Sequence, residues 1–377
     1  MPRFSVTYSL AASTAKEARE KAFDICVEQT VEFPYDLIAE RWIRERLVGR
    51  VETVSRLATG RYATEISYDD ATTGCEATQF LNVLFGNTSI KPGIRIERIS
   101  PSRGLFRTFS GPRFGVCGVR RLLGVQGRPL LCSALKPMGL SARALADLAY
   151  RFALGGIDLI KDDHGLANQY FAPFEERVRR CVEAVRRANR ETGGRCRYVP
   201  NVTADGIQTL QRARTARRAG AGAVIISAAL TGFAAMREVA RDNRVGVPVF
   251  FHPAFAGTFT ASPQSGISHP TLYGQMARLF GADASIFPSF GGRFSFTLGE
   301  CRSVAEGCRM RMGPIKPCLP APGGGIRFET VTEIVAFYGP DTLFLIGGGL
   351  FRYSRDITKA CRDLRAAVQQ AVARPPI

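Results

Sequence analysis

Two lysines, two aspartates and a histidine are set apart by where they fall. Lys136 follows the apolar run LLCSAL, and Lys161, Asp162, Asp163 and His164 follow the run IDLI without a break. A lysine at such a place can carry protons when burial and neighbouring charge lower its pKa, or it can reach solvent over its aliphatic stem. Lys161 with Asp163 and His164 forms a compact group of metal-ligating type, although the same residues also read as a solvated turn. Further along, Asn201 and Thr203 close the run RYVP, and His252 closes PVFF. Gly291, Gly292 and Arg293 follow ASIFPSF, and glycine triplets occur at 323–325 and 347–349. Without side chains, such triplets let backbone N–H groups approach an anion closely. One triplet alone is compatible with a tight turn. The two together point to a phosphate monoester, with Gly324, Gly325, Gly347 and Gly348 against it.

These residues share a context: each ends a short apolar or β-branched run that is followed by an amphipathic helical run. The runs PLLCSALKP, IDLIKDD, RYVPNVT, AVIISAA, PVFFHPA, ASIFPSF, KPCLPAP and TLFLIGG predict eight strands, and the segments between them predict helices. Eight such units in about 250 residues match a closed (β/α)8 barrel, whose chemistry sits at the C-terminal ends of its strands. Residues 1–110 instead read as strand, helix, two strands, helix, strand, the order of a ferredoxin-like α+β domain. The reading is therefore α/β, a small N-terminal domain at 1–110 and a barrel domain at 111–377. The Gly-, Pro- and Arg-rich stretch from Ser100 to Gln126 is expected to join them.

The 377 residues carry a net charge of +18, with 45% hydrophobic and 22% charged residues, ordinary figures for a folded globular chain. Such a charge raises the question of nucleic acid, but the arginines lie along helix faces rather than in one basic tail, which favours a solvated basic surface. No apolar run approaches the roughly 18 residues of a membrane span, and the N-terminus alternates rather than forming a signal core. The ten cysteines are scattered without C-x-x-C pairs. They are expected to be reduced in a cytoplasmic protein with neither nucleic-acid nor membrane partners.

The segments GRPLLCSALKPMGLS and GGIDLIKDDHGLANQ resemble the first two barrel strands of the RuBisCO large-subunit superfamily. The resemblance continues through PNVTAD, FFHPAF, PSFGGRF, PAPGGGI and LIGGG, and back through CVEQTVEFP and LFGNTSIKPGIRIERI. It implies that Lys161 takes up CO2 as a carbamate and, with Asp163 and the acidic position now held by His164, binds Mg2+. It also implies a homodimer with shared sites, in which Glu28 and Asn87 reach the partner's barrel.

Departures from the carboxylase pattern carry equal weight. Met138 stands where a second lysine follows strand 1, Pro253 replaces the arginine after His252, and Arg293 takes the place of the mobile-loop lysine. Carboxylation is not expected from this set. The sequence resembles the non-carboxylating, form IV RuBisCO-like proteins, in particular the branch that includes isomerases of methylthioribulose phosphate. The expected activity is metal-dependent enolisation and isomerisation of a phosphorylated ketose such as 5-methylthioribulose 1-phosphate. Lys136 would shuttle the proton, Lys161, Asp163 and His164 would hold Mg2+ or Mn2+, and His252 would touch substrate hydroxyls. Decarboxylation of a 3-oxo sugar-acid phosphate and a catalytically silent binding role are the alternatives.

Overall fold

In the computed structural model, which describes residues 2–292, 294 and 296–373, the first strand already shows the period of its sequence. Phe4, Val6, Tyr8 and Leu10 of β1 (Arg3–Ala11) are buried, and the residues between them are mostly half-exposed. α1 (Ala15–Glu28) starts at Thr14, whose side chain accepts from the Glu17 N–H, and buries Ala18, Ala22, Ile25 and Cys26. β2 (Arg50–Ala58), β3 (Arg61–Asp69), α2 (Ala77–Phe85) and β4 (Ile94–Ser100) follow. The sheet order β4-β1-β3-β2, antiparallel throughout, is the expected ferredoxin-like arrangement.

Eight parallel strands form the second sheet: β5 (Leu130–Leu135), β6 (Leu159–Asp162), β7 (Arg197–Val199), β8 (Val224–Ile226), β9 (Val249–Phe251), β11 (Ala284–Pro288), β12 (Leu319–Gly323) and β13 (Leu343–Ile346). Their order is β7-β6-β5-β13-β12-β11-β9-β8, and a parallel bridge between Asn201 and Ile225 joins its two ends into a barrel. All eight coincide with the runs picked out by sequence.

Two features correct the sequence reading. The stretch expected to be a connector contains a helix, Gly115–Leu123, which presses Val116, Val119 and Leu123 among the inward-facing Leu130, Leu159, Ile225, Phe250 and Leu343. Burying each of these three side chains is worth about 1.5–3 kcal/mol. The helix closes the barrel floor: Asp283, just before β11, accepts the N–H groups of Phe114 and Gly115 at 2.7 Å each and of Val249 at 3.0 Å. The second is a two-residue strand, β10 (Gly266–Ile267), sent by the loop after β9 to pair in parallel with β4. Gln275 fastens the same junction, bonding both N–H and C=O of Ile99. With its floor plugged, the barrel is open only at the C-terminal strand ends. No helix among the described residues is long and apolar enough to cross a membrane.

Candidate active site

Side chains alternate along β6, so successive residues serve opposite faces. Lys161 and Asp163 line the barrel mouth. Asp162 points outward, where its carboxylate accepts from the Tyr198 hydroxyl (2.5 Å), Arg177 Nε (3.1 Å) and the Asn201 N–H (3.0 Å). Asn201 Nδ2 in turn donates to the carbonyls of His164 (2.9 Å) and Leu166 (3.1 Å), which shapes the turn after β6. Asn201 therefore holds the loop that presents Asp163 and His164 and does not itself line the mouth.

Lys136 reaches across from the end of β5, its Nζ 3.0 Å from Asp163 Oδ1, while His164 Nδ1 lies 3.3 Å from the same oxygen. Partial burial pushes the Asp163 carboxyl up. The hydrogen bonds from His164 and Lys136 and the Lys161 charge outweigh that and hold it well below the usual carboxylate range. Lys161 is only 1% exposed, and burial lowers its pKa. Its only hydrogen bond among the described residues goes to the Asp162 carbonyl, 2.7 Å away.

His252, at the end of β9, stacks on His164 with ring centroids 4.6 Å apart and planes 19° from parallel. Burial first, then the Lys161 charge, depresses its pKa far below that of a free imidazole. The Ala254 N–H donates to its Nδ1 over 3.1 Å, so the neutral ring carries its proton on Nε2 and can donate it to a substrate oxygen.

Across the mouth, both glycine triplets line the same cavity of about 1120 Å³. The loops after β11 and β12 meet backbone to backbone: a Cβ on Gly292 would fall 1.8 Å from the Gly324 carbonyl oxygen. Arg327 and Arg352, which sequence reasoning passed over, supply positive charge beside the triplets. Arg293, which stands in place of the mobile-loop lysine and is a further expected substrate- or phosphate-binding residue, lies outside the described residues. Also missed were His269, Tyr273, Phe296 and Glu300, which line the end of the cavity formed by the loops after β9 and β11. The scarcity of histidine, three in the whole chain, was the one signal pointing to His269.

Glu28 and Asn87 are brought together, but not at this cavity, whose described lining comes wholly from the barrel. Asn87 Nδ2 donates to Glu28 Oε1 (3.1 Å) and to Glu32 Oε1 (2.8 Å) on an exposed surface of the small domain. Glu32 adopts a left-handed backbone, φ 46°, unusual for a residue with a side chain.

Among the described residues no three His, Cys, Asp or Glu side chains converge on one point. Among the described residues, Asp163 is the carboxylate in the cavity wall that pairs with Lys136, with His164 next to it. The donor set suits a hard divalent cation once Lys161 carries a carbamate, which adds oxygen ligands at the buried amine. Lys161 lines the cavity, so a group added to its amine would extend into that space.

A closed barrel whose mouth sets lysines and a carboxylate against glycine-lined backbone and two arginines is that of a barrel enzyme. Residues 115–291 match the catalytic domain of the ribulose bisphosphate carboxylase large chain. The chain is 39% identical to ribulose bisphosphate carboxylase-like protein 1 of Rhodopseudomonas palustris over 97% of both sequences. It is 38% identical to the 5-methylthioribulose-1-phosphate isomerase of Rhodospirillum rubrum, over 99% of this chain and 98% of that one. The crystal structure of a Rubisco-like protein from Rhodopseudomonas palustris superposes with a TM-score of 0.88 over 98% of each chain at 39% identity. The chain belongs to the RuBisCO family and, within it, to the form IV RuBisCO-like proteins.

Proposed function

We propose that this enzyme enolises and isomerises 5-methylthioribulose 1-phosphate, or a ketose phosphate of the same build, without fixing CO2. The carrying observation is the convergence of Lys136 and Lys161 on Asp163, with Lys136 3.0 Å from that carboxylate, opposite two glycine triplets in one cavity. The isomerase of Rhodospirillum rubrum, similar over nearly the whole chain, supports the substrate.

The backbone N–H groups of Gly324, Gly325, Gly347 and Gly348, with Arg327 and Arg352, hold the phosphate and fix the register of the carbon chain. Lys136 takes the proton from the carbon beside the carbonyl. The electron pair of the broken C–H bond forms the C=C of an enediolate as the carbonyl π pair moves onto its oxygen. That oxygen takes the proton of the neighbouring hydroxyl, the new C=O forms there, and Lys136 returns its proton to the former carbonyl carbon. His252 donates from Nε2 to a substrate oxygen. Carbamylated Lys161, Asp163 and His164 would hold Mg2+ or Mn2+, which when bound offsets the negative charge of the enediolate. Met138 and Pro253 leave the site without the second lysine and the arginine of the carboxylase pattern, so the enediolate is reprotonated and not carboxylated.

A homodimer completes this reading. Glu28, Glu32 and Asn87 stand clear of their own barrel mouth, and the same domain exposes Phe33, next to Glu32 in the chain, as well as Tyr35 and Trp42. In that dimer Glu28 and Asn87 reach the partner's cavity. The test is solvent deuterium entering the substrate, followed by NMR with Mg2+ present, alongside ribulose bisphosphate with labelled CO2. Exchange without acid-stable label is expected; acid-stable label overturns the reading.

A further inference from the structure

The cavity has a third region that the phosphate and proton-transfer residues leave unused. It lies between the loops after β9 and β11, on the far side of the barrel from β5 and β6 in the strand order. Its wall is aromatic: Phe296 meets the His269 ring edge-on at 4.6 Å and the Tyr273 ring at 5.9 Å. His269 is 8% exposed, and burial lowers its pKa despite the nearby carboxylate. That carboxylate belongs to Glu300, with Oε1 3.7 Å from His269 Nδ1. Its other oxygen, Oε2, accepts from the Thr297 N–H (2.8 Å) and hydroxyl (3.0 Å), which fixes it at the start of helix Leu298–Arg309.

No lysine or arginine among the described residues lines this end. Arg95, the cation that His269 senses, is turned to the Pro263 carbonyl and to Glu97 outside the lining. The fixed Glu300 carboxylate at this end repels a second phosphate, and the aromatic wall beside it offers contact to an uncharged apolar group.

We infer that Phe296, His269 and Tyr273 form the subsite for a short uncharged apolar tail of the substrate, an alkyl or thioether group, and that Glu300 excludes substrates phosphorylated at that end. The inference rests on the proposed ketose 1-phosphate reading and assigns its specificity to named residues. Phe296 supplies contact area, and Glu300 supplies charge repulsion.

The test is a calorimetric comparison of three ligands, 5-methylthioribulose 1-phosphate, ribulose 1-phosphate and ribulose 1,5-bisphosphate, on the wild type and two variants. Glu300→Gln keeps a residue able to cap the helix. It should tighten bisphosphate binding by at least about fivefold, the Coulomb effect of one nearby charge in water, and change methylthio-ligand binding little. Phe296→Ala should weaken the methylthio ligand by about tenfold and leave ribulose 1-phosphate nearly unaffected. Unchanged bisphosphate affinity in Glu300→Gln, or equal weakening of both monophosphates in Phe296→Ala, overturns the inference. If the wild type exchanges deuterium into the methylthio substrate while either pattern fails, the subsite alone is wrong. If the wild type binds none of the three ligands, the functional reading fails with it.

Discussion

Arg177 Nε lies 3.1 Å from Asp162 Oδ2 with neither side chain exposed to solvent. Asp162 stands between Lys161 and Asp163, so this pair, with Tyr198 and the Asn201 N–H, holds the outward face of β6 while its neighbours face the substrate. Removing one partner leaves an uncompensated buried charge, which costs about 3–5 kcal/mol. Asp162→Ala should lose that much in urea denaturation. The double variant Asp162→Leu with Arg177→Met should be less destabilised than the single one. A single-variant loss below about 1 kcal/mol, the size of an ordinary surface change, contradicts the anchoring role.

Lys136 is the proton carrier in the proposed reaction. Lys136→Met keeps most of the side-chain volume and removes the amine. Deuterium exchange into the substrate should fall by at least about a hundredfold, the usual worth of a positioned acid–base group. Calorimetric affinity for the substrate should change little, because the phosphate contacts remain. Exchange within about tenfold of wild type would move the proton transfer to another residue.

His164 shares Asp163 Oδ1 at 3.3 Å and is stacked on His252. Mg2+ prefers oxygen, and imidazole suits Mn2+, Fe2+ or Zn2+ better. His164→Glu should therefore leave Mg2+ binding intact or tighten it in a direct titration, whereas Asp163→Ala should lose it. A loss in His164→Glu as large as in Asp163→Ala shows the imidazole to be an indispensable ligand.

The barrel floor carries its own pH dependence. Burial pushes the Asp283 carboxyl from its ordinary 3.8 to about 6, against the pull of the N–H groups of Gly115, Val249 and Phe114. A raised folded-state pKa means that the folded chain holds a proton between about pH 4 and 6 that the unfolded chain has released. Its stabilising contribution is full below that window and is lost as pH rises through it. Two pH units at 1.36 kcal/mol each give on the order of 3 kcal/mol. The stability gap between wild type and Asp283→Asn should shrink from pH 4.5 to 7 in denaturant titrations, with other groups cancelling. A constant gap refutes the shift.

The strands were legible because each barrel strand is a short apolar run, and most of these runs are stopped by a polar residue or a glycine. The alternation at Lys161, Asp162 and Asp163 follows from the two-residue period of a strand. The plug helix was not legible: Val116, Val119 and Leu123 keep the i, i+3, i+7 spacing, but Gly115 and Gly118 and the Pro-rich approach hide it among turn residues. β10 is two residues long and forms only because β4 offers an edge. The approach of His269 to Glu300 brings together residues that follow different strands, so only the closed barrel makes them neighbours.

Glu28 and Asn87 were assigned to a partner's site by resemblance, and their placement makes the assignment testable. Asn87 is bonded to both Glu28 and Glu32, and Glu32 holds a left-handed backbone that costs about 1–3 kcal/mol. Two-fold dimers are also the commonest homo-oligomers. Glu28→Gln should inactivate sites formed on the partner's barrel, and Lys161→Ala should inactivate sites on its own barrel. Mixing the two inactive variants after dissociation pairs subunits at random, so half of the dimers are mixed. Each mixed dimer has one site with both residues intact and one with neither, which predicts roughly a quarter of wild-type activity. If Glu28 served its own barrel, every site in every pairing would lack one residue and mixing would restore nothing. Mass-tagged subunits establish that exchange has occurred. Exchange without recovered activity removes Glu28 from the partner's site.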